Sequence, residues 1–173
     1  MSTAEYRYHP AEFPAPKVSV RHINLIFDIS ETQTRVIAET TCLTLADILT
    51  TITLNAKNLE ILKIRLNGKP ARYIYEDDLS KIPLHRPARR GAHFTLWTET
   101  ICHPTATILE GLYYDATPAV LPKTQITQCQ QWGFQRIAPC IDDMRAKSTW
   151  TTTIIADNRY TNLIASGNIK TTR

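Results

Sequence analysis

Glycine is scarce, five in 173 positions, and none of the five stands in a G-x-S-x-G elbow or a glycine-rich phosphate loop. That sets aside the nucleophile-elbow hydrolases and the nucleotide-cradling folds. No H-E-x-x-H occurs, and His9, His22, His85, His93 and His103 lie on separate segments, so no metal site and no cofactor are expected within this chain. Cys42, Cys102, Cys129 and Cys140 show no C-x-x-C spacing and no histidine at zinc-finger distance. Neither a metal knuckle nor a disulfide framework is indicated, and reduced, mostly buried thiols are expected. No apolar run approaches the roughly 18 residues of a membrane span, and Met1 to Lys17 lacks the apolar stretch of a secretory signal. The expectation is a soluble, cytoplasmic chain without a membrane partner. Twenty Lys and Arg against 16 Asp and Glu leave a net charge of +4, too slight to argue for nucleic acid.

What is present is strand after short strand. A chain of 173 residues is long enough to bury a core as one domain. Pro10, Pro14 and Pro16 make the opening extended and irregular. Ile23, Leu25, Phe27 and Ile29 then alternate with polar neighbours, while Val18 and Val20 fall on the opposite parity, so a bulge is expected near Arg21 or His22. The run from Arg35 to Leu45 is rich in Thr, Val and Ile, and Ile52, Leu54 and Ala56 alternate in the next strand. Leu62, Ile64 and Leu66 lead to Asn67-Gly68, a pair suited to the positive φ of a tight turn, with Arg72 to Glu76 expected to return as the partner strand. Asp77 to Ala92, with two prolines and several basic residues, reads as a long surface loop. His93 to Cys102 and Trp150 to Ala156 read as further strands, with Tyr160 to Ala165 as one more. Short helical turns are expected near Trp132 to Ile137 and Asp143 to Lys147. The class is all-β: an antiparallel β-sandwich or saddle-shaped sheet with one or two short helical turns.

The densest chemistry lies between Lys123 and Trp150. Strand alternation puts Gln128 and Gln130 on one face, with Gln125, Thr127 and Cys129 on the other. Two uncharged amides on one strand face suit hydrogen bonding to a peptide-like group, although spacing alone favours a solvated polar face. Cys129 and Cys140 have nothing local to depress a thiol pKa. Asp142 and Asp143, adjacent on the chain, are expected to organise a turn or cap the helical turn after them.

Thr127-Gln128-Cys129-Gln130, the turn through Phe134 and Arg136, Pro139-Cys140-Ile141-Asp142-Asp143 with Lys147, and Thr152-Thr153-Ile154-Ile155-Ala156-Asp157 together resemble the N-terminal domain of the aminopeptidase N family of zinc metallopeptidases. Leu109-Glu110-Gly111-Leu112-Tyr113 is similar to that family's Gly-Leu-Tyr turn, and Asn162 to Asn168 continues the likeness. The resemblance runs from about Tyr6 to Asn168. It implies that residues 1–173 are a single N-terminal β-domain lacking its last strands, with the zinc and its H-E-x-x-H helix in a separate catalytic domain. It further implies that Gln128 bounds the pocket for a substrate's N-terminal residue and that Gln130 hydrogen-bonds near the free α-amine, with a cis peptide bond at Gln130-Gln131.

Where the family commonly has glutamate, this chain has Gln130. An amide orients an ammonium group but does not attract it with charge. The implied function is that of a non-catalytic domain contributing pocket residues to a peptidase that removes N-terminal residues from peptides. This chain alone is expected to be inactive. The alternative is a free-standing protein-interaction or scaffold domain of the same descent, and missing strands would leave a sheet edge open to self-association.

Overall fold

The computed structural model describes residues 12–121 and 123–172. Tyr6, His9, Pro10 and the terminal Arg173 lie outside them. Eleven strands run in chain order: β1 (Val18–Ile29), β2 (Thr34–Thr44), β3 (Ile48–Asn55), β4 (Glu60–Leu66), β5 (Lys69–Pro70), β6 (Ile74–Glu76), β7 (Leu79–Arg89), β8 (His93–Cys102), β9 (Gly111–Tyr114), β10 (Gln125–Gln128) and β11 (Thr149–Ala156). A 3-10 turn spans Gly133–Arg136. The strands form a six-stranded sheet in the order β11-β1-β2-β8-β4-β5, a three-stranded sheet β3-β7-β6 and a two-stranded sheet β10-β9. Pairing is antiparallel except between β1 and β11, which run parallel from His22↔Thr149 to Ile29↔Ala156. The all-β class expected from alternation is the class observed.

One face of the large sheet carries the core. Val20, Ile23, Leu25 and Phe27 of β1 and Val36 and Ala38 of β2 are buried with Leu112, Ile137 and Ala138. Toward the other end, Cys42, Ile64, Phe94 and Leu96 pack against Leu49, Ile52 and Leu54 of β3 and Ile82 of β7. The second face is polar: Arg35 meets Glu99 across β2 and β8 at 2.6 Å, and the Arg65 guanidinium lies 5.1 Å from the centre of the Trp97 ring. Alternation along β1 changes parity where the register with β2 shifts between Val20 and His22, the site expected for a bulge.

Three expectations are corrected. Residues 79–89 form the strand β7 and not a surface loop. Ser80 and Ile82 point into the core, and the prolines are tolerated because β6 covers only Leu79 to Lys81, so past that point one edge of β7 has no strand beside it among the described residues. The partner of β4 is the two-residue β5, after Asn67 and Gly68 turn the chain with φ of 50° and 77°. Ile74–Glu76 joins β7 in the other sheet. Tyr160 to Ala165 is irregular, since alternation makes a strand only where a neighbour accepts its backbone bonds, and none pairs with this segment among the described residues.

Ile52 is 1% exposed where the three-stranded sheet meets the six-stranded one. Ile52→Ala should cost about 2–5 kcal/mol in urea unfolding, the usual range for a buried aliphatic truncation. A loss below about 1 kcal/mol would show that the two sheets do not pack at this point.

Candidate functional site

The run from Gln135 to Cys140 ties the site to both larger sheets. Gln135, Ile137, Ala138, Pro139 and Cys140 are buried. Thr100 of β8 donates its hydroxyl to the Ile137 carbonyl at 2.9 Å, and the Cys102 thiol lies 3.4 Å from the same oxygen. Asn55, the last residue of β3, exchanges both backbone bonds with Cys140, at 2.7 and 2.9 Å, and the Lys57 N–H donates to the Gln135 carbonyl at 2.8 Å. Backbone groups that would otherwise be buried without partners are thereby satisfied.

The small hairpin β9–β10 rises beside this run, in the register Gln125↔Tyr114 to Gln128↔Gly111. Its far end is docked on the turn between β1 and β2. Gln125 accepts from the Thr34 hydroxyl at 3.1 Å and donates to the Ser30 carbonyl at 2.7 Å, and the Tyr114 hydroxyl donates to the Glu31 carbonyl. Of the glutamines in this stretch, Gln125 is therefore a fastener. Spacing alone could not separate it from Gln128 and Gln130, because its partners lie more than 90 residues away.

Gln128 is the last residue of β10, and both Gln128 and Gln130 are exposed. Gln130 lies beyond the end of the strand, and the peptide bond that follows it, to Gln131, is cis. The chain then folds back, with the Gly133 N–H donating to the Cys129 carbonyl at 3.0 Å. Gly133 leaves no room for a side chain: a Cβ there would sit 2.1 Å from the Gln128 carbonyl oxygen. Gly111, at φ +76°, is similarly close to Arg136. Gly133 is thus needed for contact distance.

The other sequence candidates separate. Cys140 is buried as expected, but Cys129 is exposed. Burial pushes the Cys42 and Cys102 thiols to about 12. The Cys129 thiol is also raised, first by partial burial of its sulfur and then by the Asp142 carboxylate, so it is no activated nucleophile. The two aspartates diverge. Asp143 accepts from the backbone and guanidinium of Arg145 and is held below the usual carboxylate range, closing a turn where a helical one was expected. Asp142 has one carboxylate oxygen buried without a partner, and burial, with Glu110 as a lesser cause, raises its pKa despite the Gln135 N–H, which lowers it. Trp132 is 52% exposed and Trp150 49%, the latter edge-on to Phe134 with centroids 5.1 Å apart. Neither is the core residue that tryptophan usually is. Among the described residues no three His, Cys, Asp or Glu side chains are gathered as metal ligands.

The fold and this block of residues define an N-terminal domain of a peptidase family. The family description "Peptidase M1 N-terminal domain" matches residues 20–173, and the chain belongs to that family. It is 29% identical over 167 residues to aminopeptidase N of Escherichia coli, covering 95% of this chain and 18% of that protein. It is 28% identical over 151 residues to the leukotriene A-4 hydrolase of Xenopus laevis, covering 82% of this chain and 25% of that protein. The chain thus spans a quarter or less of the length of these relatives. Among solved structures, aminopeptidase A of Legionella pneumophila in complex with aspartic acid superposes with a TM-score of 0.75 at 19% identity, over 89% of this chain and 18% of that one. The M1 zinc metallopeptidase of Deinococcus radiodurans gives 0.67 at 18% identity, over 81% and 32%. At these identities the structural likeness concerns the fold.

Two measurements check the local chemistry. Iodoacetamide should alkylate Cys129 ahead of the three buried cysteines in the native protein, giving one adduct by intact mass, with a rate that keeps rising past the ordinary thiol pKa of about 8.5. Two or more adducts at equal rates would contradict the burial pattern. Folding raises the Asp142 pKa above its ordinary 3.8, so its ionised form costs stability above that value, and the cost is relieved as pH falls through the raised one. Asp142→Asn should therefore raise the melting temperature at pH 7, with the gain shrinking to nothing in acid. A loss at pH 7 would show that the carboxylate is favourably paired.

Proposed function

We propose that this chain is the non-catalytic, substrate-binding domain of a zinc metallo-aminopeptidase, one that removes N-terminal residues from peptides. The zinc belongs to a catalytic domain outside this chain, a reading supported by the match of residues 20–173 to the N-terminal domain of the M1 family. Gln128 borders the pocket for the substrate's N-terminal side chain, and Gln130 hydrogen-bonds near its α-amine. The observation that carries this reading is the pair of exposed amides at and just past the end of β10, on a loop fastened to a buried backbone run, in a chain of the M1 N-terminal family. A fixed amide can accept a hydrogen bond from an ammonium group without the cost of burying a charge of its own.

Gln130 supplies orientation without charge, so the two directions of substitution separate its role from simple packing. In the complete polypeptide that carries this chain, Gln130→Ala should raise KM for an aminoacyl-arylamide about tenfold, the scale of one hydrogen bond to a charged group, with kcat changed less. Gln130→Glu should lower KM by adding charge attraction. If both variants keep KM within about twofold of the parent, the pocket role fails. The 173-residue chain by itself should hydrolyse nothing, and zinc-dependent hydrolysis by it would overturn the assignment. The native polypeptide should be several times larger than 19.7 kDa. A native species of 19.7 kDa would point to a free-standing interaction domain instead.

A further inference from the structure

We propose that Glu110 and Arg136 form a positioning pair that sets the place of Gln128 and Gln130. The inference builds on the reading of those two amides as pocket residues and names the device that holds them.

A two-stranded hairpin of four residue pairs is marginal on its own, so β9–β10 needs support at both ends. The far end is docked through Gln125 and Tyr114 on the β1–β2 turn. At the near end, where Gln128 pairs with Gly111, Leu112 is packed in the core with Ile137 and Ala138, and the Glu110–Arg136 contact is the side-chain ion pair beside it. Arg136 Nε donates to Glu110 Oε2 at 2.6 Å, with the two side chains 16% and 29% exposed, and the Lys57 ammonium stands 3.8 Å from the same oxygen. A charge-assisted bond this short and this shielded is stronger than an exposed surface pair.

Its two ends belong to different bodies. Arg136 closes the 3-10 turn on the buried backbone run, with its own carbonyl 3.5 Å from the Cys102 thiol and the next carbonyl bonded to Thr100. Glu110 immediately precedes Gly111, whose absent Cβ would fall 2.7 Å from Arg136 Cβ and 3.2 Å from the Gly133 carbonyl oxygen. Drawing Glu110 onto Arg136 therefore seats Gly111 against the 3-10 turn. That in turn holds the Gln128 carbonyl over Gly133, and residues 129–132 are confined between the two contacts. Among the described residues the side-chain hydrogen bond of Arg136 goes to Glu110 and not to either amide. It acts through the backbone of Gly111 and Gln128.

The test is hydrogen exchange and NMR on the 173-residue chain. Arg136→Met and the milder Glu110→Gln should each speed exchange of the Gly133 N–H about tenfold and shift the side-chain amide signals of Gln128 and Gln130, while the N–H groups of β2 and β8 keep their protection. Arg136→Lys, which keeps the charge, should retain most of the protection. Arg35→Met, which breaks the comparable Arg35–Glu99 pair on the other face of the large sheet, should leave Gly133 unaffected. Unchanged exchange at Gly133 in both Arg136→Met and Glu110→Gln overturns the proposal, as does equal loss in the lysine and methionine variants, which would assign the effect to packing. In the complete polypeptide Arg136→Met should raise KM with little change in kcat, as Gln130→Ala does. If the loop is released but Gln130→Ala leaves KM unchanged, the pocket reading fails and the clamp stands. If Gln130→Ala raises KM and Arg136→Met moves neither readout, the clamp alone fails.

Discussion

The bond from the Thr100 hydroxyl to the Ile137 carbonyl, with the paired bonds between Asn55 and Cys140, is the constraint on which the arrangement rests. Residues 135–140 have no strand of their own to satisfy their backbone, yet five of the six are buried. Burying a carbonyl or N–H without a partner costs more than its bond contributes when made, so this run is stable only where β3 and β8 both reach it. That requirement fixes where the three-stranded sheet sits relative to the six-stranded one. It also places the 3-10 turn, and with it the floor beneath Gln128.

From that floor outward the structure becomes progressively more open. The buried run is followed by a close contact at Gly133, where a single Cβ has no space, and then by exposed glutamines on a loop past the end of a short strand. Functional groups held this way are fixed by their backbone and remain free at their side-chain ends. For the binding role proposed, such an arrangement would leave little ordering to be done at the moment of binding. In the role proposed for it, Gln130, an amide on an exposed loop, would orient a partner and leave strong attraction to other groups.

Much of the fold was legible before any coordinates. Alternation placed β1, β3 and β8, composition placed β2, and the parity change at Arg21 and His22 announced the bulge, because a half-buried strand writes its two faces into every second residue. Asn67-Gly68 marked its turn for the same local reason. Legibility failed where pairing decided the outcome. Residues 79–89 carry prolines and charges that look like a loop, and they are a strand because β3 lies beside them and β6 stops short. Tyr160 to Ala165 has a strand's composition and no strand beside it among the described residues.

The all-β class, the family through its linked motifs, and the stretch in which the candidate site lies depend on periodicity and on residue types at fixed spacing, and so were written in the chain. Which glutamine is a fastener and which are exposed, that Cys129 is exposed while Cys140 is buried, and that Glu110 reaches Arg136 across 26 residues came from folding alone. These are contacts between segments distant along the chain, where identical side chains take opposite roles according to what packing brings beside them.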